Sequence, residues 1–214
     1  MAGEDPIDEK PTLPQVLARH AQALGLVSIA WTSVHETLGS IFGMLLSPEM
    51  PMKAWAAWYA VTSDRSQRAM LKALMSVMFA ADDKRRIELE WVLNRLNSYE
   101  DKRNNALHSP YVMEQYPDGR LRFMPNAYRG NQRAKNLYGK ELLVELKSYA
   151  DHLSKLDGYV GLIQSSLPSP LRAGGPTDQK LLQRPSLPEP AHGQPQTSPT
   201  PQQRGRRQQK TPPK

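Results

Sequence analysis

The chain has 214 residues, of which 39% are hydrophobic and 23% are charged, with a formal net charge of +7. This length is sufficient for one domain with a sizeable core and leaves some residues over. Cysteine is absent, which excludes disulfides, thiolate metal sites and a cysteine nucleophile.

The basic charge is concentrated at the C-terminal end. Residues 168–214 hold eight Lys/Arg, two Asp/Glu and 11 of the 19 prolines, so the first 167 residues are close to neutral. We expect this Pro/Gln-rich basic tail to be disordered because it cannot bury enough apolar area to offset its chain entropy. Residues 1–12 have the character of a disordered leader. The predicted domain is therefore residues 13–167.

No run of about 18 apolar residues is present, so we expect no transmembrane helix. The acidic N-terminal sequence MAGEDPIDEK lacks the apolar core of a secretory signal. These features predict a soluble cytoplasmic protein without a membrane partner.

Helical periodicity dominates the first hundred residues. A long helix is predicted from about Pro14 to Ser47, where Pro48 stops it. Its apolar stripe consists of Leu17, Leu24, Val27, Trp31, Val34, Leu38, Ile41 and Leu45. A second helix, roughly Met52 to Thr62, is apolar nearly all round, which predicts a central helix covered on several sides.

Two further helices have capping signals, and a hairpin follows them. Asp64 with Gln67 resembles a capping box for a third helix, and Asp82-Asp83 predicts the start of a fourth. After Pro110, the segments 111–116 and 120–124 flank the turn triplet Pro117-Asp118-Gly119, which predicts a small hairpin. A fifth helix is predicted from about Lys140, with Leu142, Leu146, Ala150, Leu153, Leu156, Val160 and Ile163 on one face.

Arg103 lies in an unexpected register of the fourth helix. The stripe Leu89, Val92, Leu96 and Tyr99 continues to Arg103 and Ala106. A cation on this face needs a carboxylate or an open cleft, because an unpaired buried charge is costly. Glu100 and Glu36 are the candidate partners.

Asn104 and His108 are four residues apart and share one side of the same helix, with Arg103 flanking them. Histidine can transfer a proton near neutral pH, and arginine can bind phosphate and stabilise developing charge. This combination is suited to phosphodiester chemistry. Cations, histidines and asparagines are also common at helix C-termini for capping reasons alone, so helix termination is the competing explanation.

The sequence Arg103-Asn104-x3-His108, late in a helix of an all-α domain, resembles the Arg-x4-6-His motif of the HEPN family. The resemblance implies an all-α helical bundle of about five helices that forms a homodimer in which two motifs meet in one cleft. It also implies metal-independent endoribonuclease activity without a cofactor, with RNA as partner. His108 would be the general acid/base, Arg103 would stabilise the transition state and Asn104 would orient one of them.

Many proteins of this kind are toxins or defence factors, so an antitoxin or nucleotidyltransferase partner is a further expectation. Others are inactive and only bind nucleic acid or a protein, which is the alternative function. A purely structural helical interaction protein is a third reading, so enzymatic activity stays open.

Other basic and histidine residues are weaker candidates. Four arginines near tyrosines are candidates for gripping an RNA backbone, or form an ordinary solvated surface: Arg120, Arg122, Arg129 and Arg133. His20 and His35 are expected to be packed or solvated, with some weight for His35 and Glu36 facing the motif. Arg204 to Arg207 fit weak, salt-sensitive contact with a polyanion.

Overall fold

The protein is mostly helical. A computed structural model describes residues 11–128, 130–168 and 182–188. These residues form six helices and one two-stranded antiparallel hairpin, which confirms the predicted helical fold with a hairpin insertion. The elements are α1 (Leu13–Leu46), α2 (Pro51–Ala60), α3 (Asp64–Met78), α4 (Lys84–His108), β1 (Tyr111–Gln115), β2 (Leu121–Pro125), α5 (Gln132–Leu137) and α6 (Leu142–Ser165).

The core lies between α1, α4 and α6. The predicted stripe of α1 is buried from Val27 to Leu45, although Leu17 at its start is exposed. Every apolar residue predicted for the face of α6 is buried. Burying these stripes against one another removes apolar surface from water, which is the main stabilising contribution in a helical bundle. Polar pairs fix the register of α1 and α6, since Ser33 and Thr37 both donate to Asp157, at 2.5 and 2.8 Å.

The fourth helix follows its predicted register. Leu89, Val92, Leu96 and Tyr99 are buried, and Ala106 is fully buried in the last turn of the helix. Asp83 is the N-cap, as predicted, and its carboxylate accepts a 2.8 Å hydrogen bond from the Arg85 N–H. The stripe therefore carries Arg103 to the inner side of α4, where it is half-buried.

Two predictions about α2 and α3 are wrong. Only Ala54 and Trp58 of α2 are buried, and Tyr59 is 54% exposed, so this helix lies at the periphery with one side against α1. The cap of α3 is Ser63 and not Asp64, because Asp64 accepts a hydrogen bond from the Trp31 indole instead. Gln67 donates to the Trp58 and Val61 carbonyls and ties α3 to the end of α2.

The hairpin is anchored to the end of α4. It pairs Tyr111 with Pro125 and Gln115 with Leu121, within one residue of the predicted strands. The Tyr111 hydroxyl donates to the Ala106 carbonyl at 2.6 Å, so a side chain of β1 satisfies an orphan carbonyl of the last helical turn. Burial raises the pKa of Tyr111 to about 12, so this phenol stays a donor at neutral pH. This hydrogen bond joins the first strand of the hairpin to the last turn of α4, which contains His108.

Part of the predicted tail is folded against the bundle. Most of residues 168–214 lie outside the described residues, as do residues 1–10 of the predicted leader. Residues 182–188 differ from the expectation of disorder, since Leu182 is buried in the core cluster and Leu187 packs against it. The short helix α5, between the hairpin and α6, was also not predicted, and its N-cap is Asn131.

Candidate functional site

The side chain of Arg103 lies against an indole and not against a carboxylate. Its guanidinium carbon is 5.6 Å from the ring centroid of Trp31 in α1. Nη1 donates a 2.9 Å hydrogen bond to the amide oxygen of Asn104. The buried Nε atom has no hydrogen-bond acceptor within the described residues. Arg103 therefore carries N–H groups that no described residue accepts.

The carboxylates predicted as partners for Arg103 are engaged elsewhere. Glu100 accepts from Nη2 of Arg68 at 2.6 Å and from Nη2 of Arg65 at 3.5 Å. Glu36 accepts from the Tyr59 hydroxyl. Both predicted pairings with Arg103 are wrong because arginines of α3 reach Glu100 and the turn into α2 brings Tyr59 to Glu36. No ion pair of Arg103 occurs among the residues that the structure describes.

His108 is the last residue of α4 and is exposed. In the described part of the chain no hydrogen bond joins it to Arg103 or Asn104. Five residues along a helix correspond to a rotation of about 140° beyond one full turn and a rise of about 7.5 Å, so the two side chains leave the helix in different directions. Arg103, Asn104 and His108 thus lie at the same end of α4. Arg103 and Asn104 are hydrogen-bonded to each other, and no described hydrogen bond links His108 to either of them.

A buried polar network adjoins Arg103 through the Trp31 ring that Arg68 and Arg103 both contact. Its centre is Arg68 of α3, which is 3% exposed. Its Nε donates to the Asn97 amide oxygen at 3.1 Å, and its Nη2 donates to Glu100. Its Nη1 lies 3.0 Å from Nε2 of His35. The guanidinium carbon is also 5.6 Å from the Trp31 ring centroid, so Arg68 and Arg103 share this indole.

The contacts of His35 define its protonation state. Arginine has only donors, so Nε2 of His35 must accept from Arg68. Nδ1 lies 3.0 Å from the Trp31 carbonyl oxygen, which can only accept, so Nδ1 carries the proton. Burial lowers the pKa of His35 below its ordinary value, and the cations of Arg68 and Arg103 act in the same direction. The Trp31 carbonyl and the Asp64 carboxylate oppose them. His35 is therefore a neutral imidazole that orients Arg68.

Sequence reasoning missed Arg68, although a signal for it was present. Arg68, Leu71 and Met75 follow the helical spacing of three and four, and the two apolar residues are fully buried. A cation in that register requires a buried acceptor, as was argued for Arg103. His35 was a candidate for facing the motif, and the charge of Arg103 does act on its ring by lowering the pKa of His35.

The predicted RNA-gripping arginines are dispersed. Arg120 pairs with Asp118 at 2.6 Å in the hairpin turn and stacks over Tyr116. Arg122 lies 3.4 Å from Glu141 at the start of α6. Arg133 is exposed in the first turn of α5, and Arg129 lies outside the described residues. Two of the four arginines thus have an acidic neighbour, which reduces the net positive field of this surface.

Comparison with protein-family models, with curated proteins and with solved structures finds no match for this chain. No described helix is long and apolar enough to cross a membrane. Within the same residues, no three His, Asp or Glu side chains are grouped so that they could hold a metal ion. The functional proposal therefore depends on the residues at the end of α4.

Proposed function

We propose that this protein is a metal-independent endoribonuclease of the HEPN type, acting as a homodimer with a role as a toxin or defence factor. The observation that carries the proposal is the state of Arg103. It lies half-buried at the end of α4 with no described carboxylate partner, while one of its five N–H donors is held by Asn104. A cation held in place with spare donors is suited to an anionic ligand such as a phosphodiester.

The chemistry assigned to these residues is internal transesterification of RNA. His108 takes the proton of a ribose 2′-hydroxyl, and the oxygen attacks the adjacent phosphorus while the 5′-oxygen of the next nucleotide leaves. A second histidine returns a proton to that leaving oxygen. Arg103 neutralises the charge that develops on the non-bridging oxygens. Asn104 restrains the guanidinium.

A homodimer would bring an Arg103 and a His108 together although the two side chains are separated within one subunit. Arg103 and His108 leave α4 in different directions, so one copy alone does not surround a phosphate from two sides. A second copy brings another Arg103 and another His108 to the same cleft. The exposed position of His108 leaves it accessible to both substrate and partner subunit.

Incubation of the purified protein with mixed-sequence RNA in excess EDTA tests this function. We expect cleavage to 2′,3′-cyclic phosphate ends, and a loss of about 100-fold or more in His108→Ala and Arg103→Ala, because each removes a transition-state interaction. The products are identified by mass spectrometry, and the subunit number by sedimentation.

Two control variants lie outside the proposed site, one in α6 and one in α4. His152→Ala removes a half-buried histidine of α6, and Arg86→Ala removes an arginine that pairs with Glu90 in the first turn of α4. Both controls should cleave RNA like the unaltered protein. Equal cleavage by the unaltered protein and His108→Ala would show that the activity has another origin and would refute the proposal.

A second candidate is a HEPN-like module that binds RNA or a protein without cleaving it. The observation in its favour is that no side chain of the described residues orients the His108 ring by a hydrogen bond. This candidate predicts RNA binding that persists in His108→Ala and weakens in Arg103→Ala, with no product formed by either. An electrophoretic shift assay run beside the cleavage assay distinguishes the two.

A further inference from the structure

The segment 182–188 occupies a groove on the side of the bundle formed by α4 and α6. Glu88, Trp91 and Arg95 follow one another at helical spacing on α4, and Tyr159 of α6 lies opposite. The rings of Trp91 and Tyr159 meet edge to face, with centroids 5.8 Å apart. This groove lies apart from the Arg103 site, toward the other end of α4.

Arg184 of the segment contacts Glu88 and Trp91 of α4. Its Nε donates to Oε2 of Glu88 at 2.6 Å and its Nη2 donates to Oε1 at 3.3 Å, which is a bidentate pair. Its guanidinium carbon is 5.1 Å from the ring centroid of Trp91. The Tyr159 hydroxyl donates to the same carboxylate at 2.9 Å and fixes its orientation.

The carboxylate of Glu88 makes the groove suited to a cationic guest. With the segment in place, the Glu88 side chain is 9% exposed and that of Arg184 is 43% exposed. Among the described residues, Arg184 supplies the opposite charge for this carboxylate and the Tyr159 hydroxyl supplies its other hydrogen bond, so a partly buried charge is compensated. A guanidinium on an indole face beside a carboxylate satisfies charge, planarity and stacking together.

Both ends of the segment are also bound. Leu182 is 4% exposed and belongs to the core cluster, and Arg95 donates to the Pro188 carbonyl at 3.0 Å. Pro185 and Pro188 restrict the backbone, and the segment has no helix or strand. Aromatic-lined grooves commonly bind proline-containing segments in this way, because such segments lose little entropy on binding.

We propose that this groove is a docking site for short peptides of the form Leu-x-Arg-Pro, and that the chain's own segment 182–188 occupies it as a built-in competitor. Thirteen residues separate Pro168 from Leu182, a length that reaches up to about 45 Å when extended. The segment belongs to the same chain as the groove, so its local concentration there is on the order of millimolar. A free peptide therefore competes poorly while Arg184 is bound. The occupant is the segment of the same subunit.

The test uses full-length protein and a fluorescent peptide with the sequence of residues 180–190, followed by anisotropy. Arg184→Ala in the protein weakens its own segment while leaving Glu88, Trp91 and Tyr159 intact. We expect this variant to bind the peptide at least about tenfold more tightly than the unaltered protein, because the tethered competitor is weakened. Glu88→Gln combined with Arg184→Ala should abolish the gain, and a peptide with alanine in place of its arginine should bind neither protein.

Three results would overturn the proposal. The first is equal peptide affinity for the unaltered protein and Arg184→Ala. The second is undiminished binding of the arginine-free peptide. The third is a fall in subunit number caused by Arg184→Ala, since this would show that the segment docks into another copy. Circular dichroism of each variant verifies that the fold is retained, and Arg65→Ala, at an exposed arginine of α3, serves as the matched control.

Discussion

Arg68 and Arg103 approach the same indole, each with its guanidinium carbon 5.6 Å from the ring centroid of Trp31, yet their surroundings differ. Arg68 is 3% exposed and bonds to Asn97, His35 and Glu100. Arg103 is half-buried, bonds to Asn104 and has a buried Nε for which the described part of the chain provides no acceptor. Two arginines that contact one aromatic ring thus differ in how many of their nitrogens have a hydrogen-bond acceptor among the described residues.

The comparison shows how a structural cation differs from one available for binding. A buried charge with a hydrogen bond from each of its three nitrogens, as in Arg68, contributes to the uniqueness of the fold and has little left to offer a further ligand. A charge that is positioned but incompletely bonded can still gain free energy from an anion. His35 accepts a hydrogen bond from Arg68 and its pKa is lowered, so its ring is neutral at neutral pH. It therefore adds no positive charge to that of Arg68.

The largest expected effect comes from Arg68→Met. This change breaks the pair with Glu100, whose side chain is 17% exposed, and leaves that carboxylate largely buried. We expect the free energy of unfolding to fall by about 3 kcal/mol, as measured by urea denaturation. Arg103→Met is the counterpart on the same indole and should cost about 1 kcal/mol or less, the value of a half-exposed cation–π contact. Equal losses for the two variants would contradict the distinction between them.

A smaller effect is expected from acid, through His35. Its folded pKa is lowered by burial, so folding favours the neutral ring. The associated stability is fully present above the unfolded pKa of about 6.5 and is lost as the pH falls through the folded pKa. Urea unfolding at pH 7.5 and 5.5 should show a smaller decrease for His35→Asn, which keeps a donor near the Trp31 carbonyl but does not titrate. Burial also lowers the pKa of His20, so part of the decrease should remain. An identical pH dependence in both proteins would argue against protonation of His35.

The smallest effect is expected from Arg65→Met. Arg65 contacts the same carboxylate as Arg68, but at 3.5 Å and with a side chain that is 76% exposed. Solvent screening limits such a pair to about 0.5 kcal/mol or less. The urea midpoint should therefore stay close to that of the unaltered protein, and the small difference between the two should shrink in 0.5 M NaCl. A loss comparable with that of Arg68→Met would mean that Glu100 depends on both arginines.

Much of the fold was predictable because long helices carry periodic apolar stripes. The stripes of α1, α4 and α6 determined which faces are buried, and proline or aspartate determined several helix ends. Composition misled for α2, since a short apolar helix at the periphery has the same residues as a central one. The docking of residues 182–188 was also not predictable, because it depends on one carboxylate and two aromatic rings from helices distant in sequence.

The candidate site was predictable only in part. Register identified the inward position of Arg103, since this follows from one helix alone. The partners of Arg103 depend on which side chains the neighbouring helices place beside it. Glu100 bonds to Arg68 of α3 and not to Arg103. Pairing between helices requires the tertiary arrangement, which no single-helix pattern contains. Its catalytic role and that of His108 remain predictions for the cleavage assay.

The contact between α1 and α6 has a consequence for synthesis in the cell. Ser33 and Asp157 are separated by 124 residues along the chain. At a translation rate of about 5–20 residues per second, the apolar stripe of α1 waits roughly 6–25 s for its partner helix to be made. During this interval the apolar face of α1 is not yet buried by α6, the helix on which it mainly packs. The protein should therefore engage ribosome-associated chaperones early, and slow codons between α1 and α6 should lower its soluble yield.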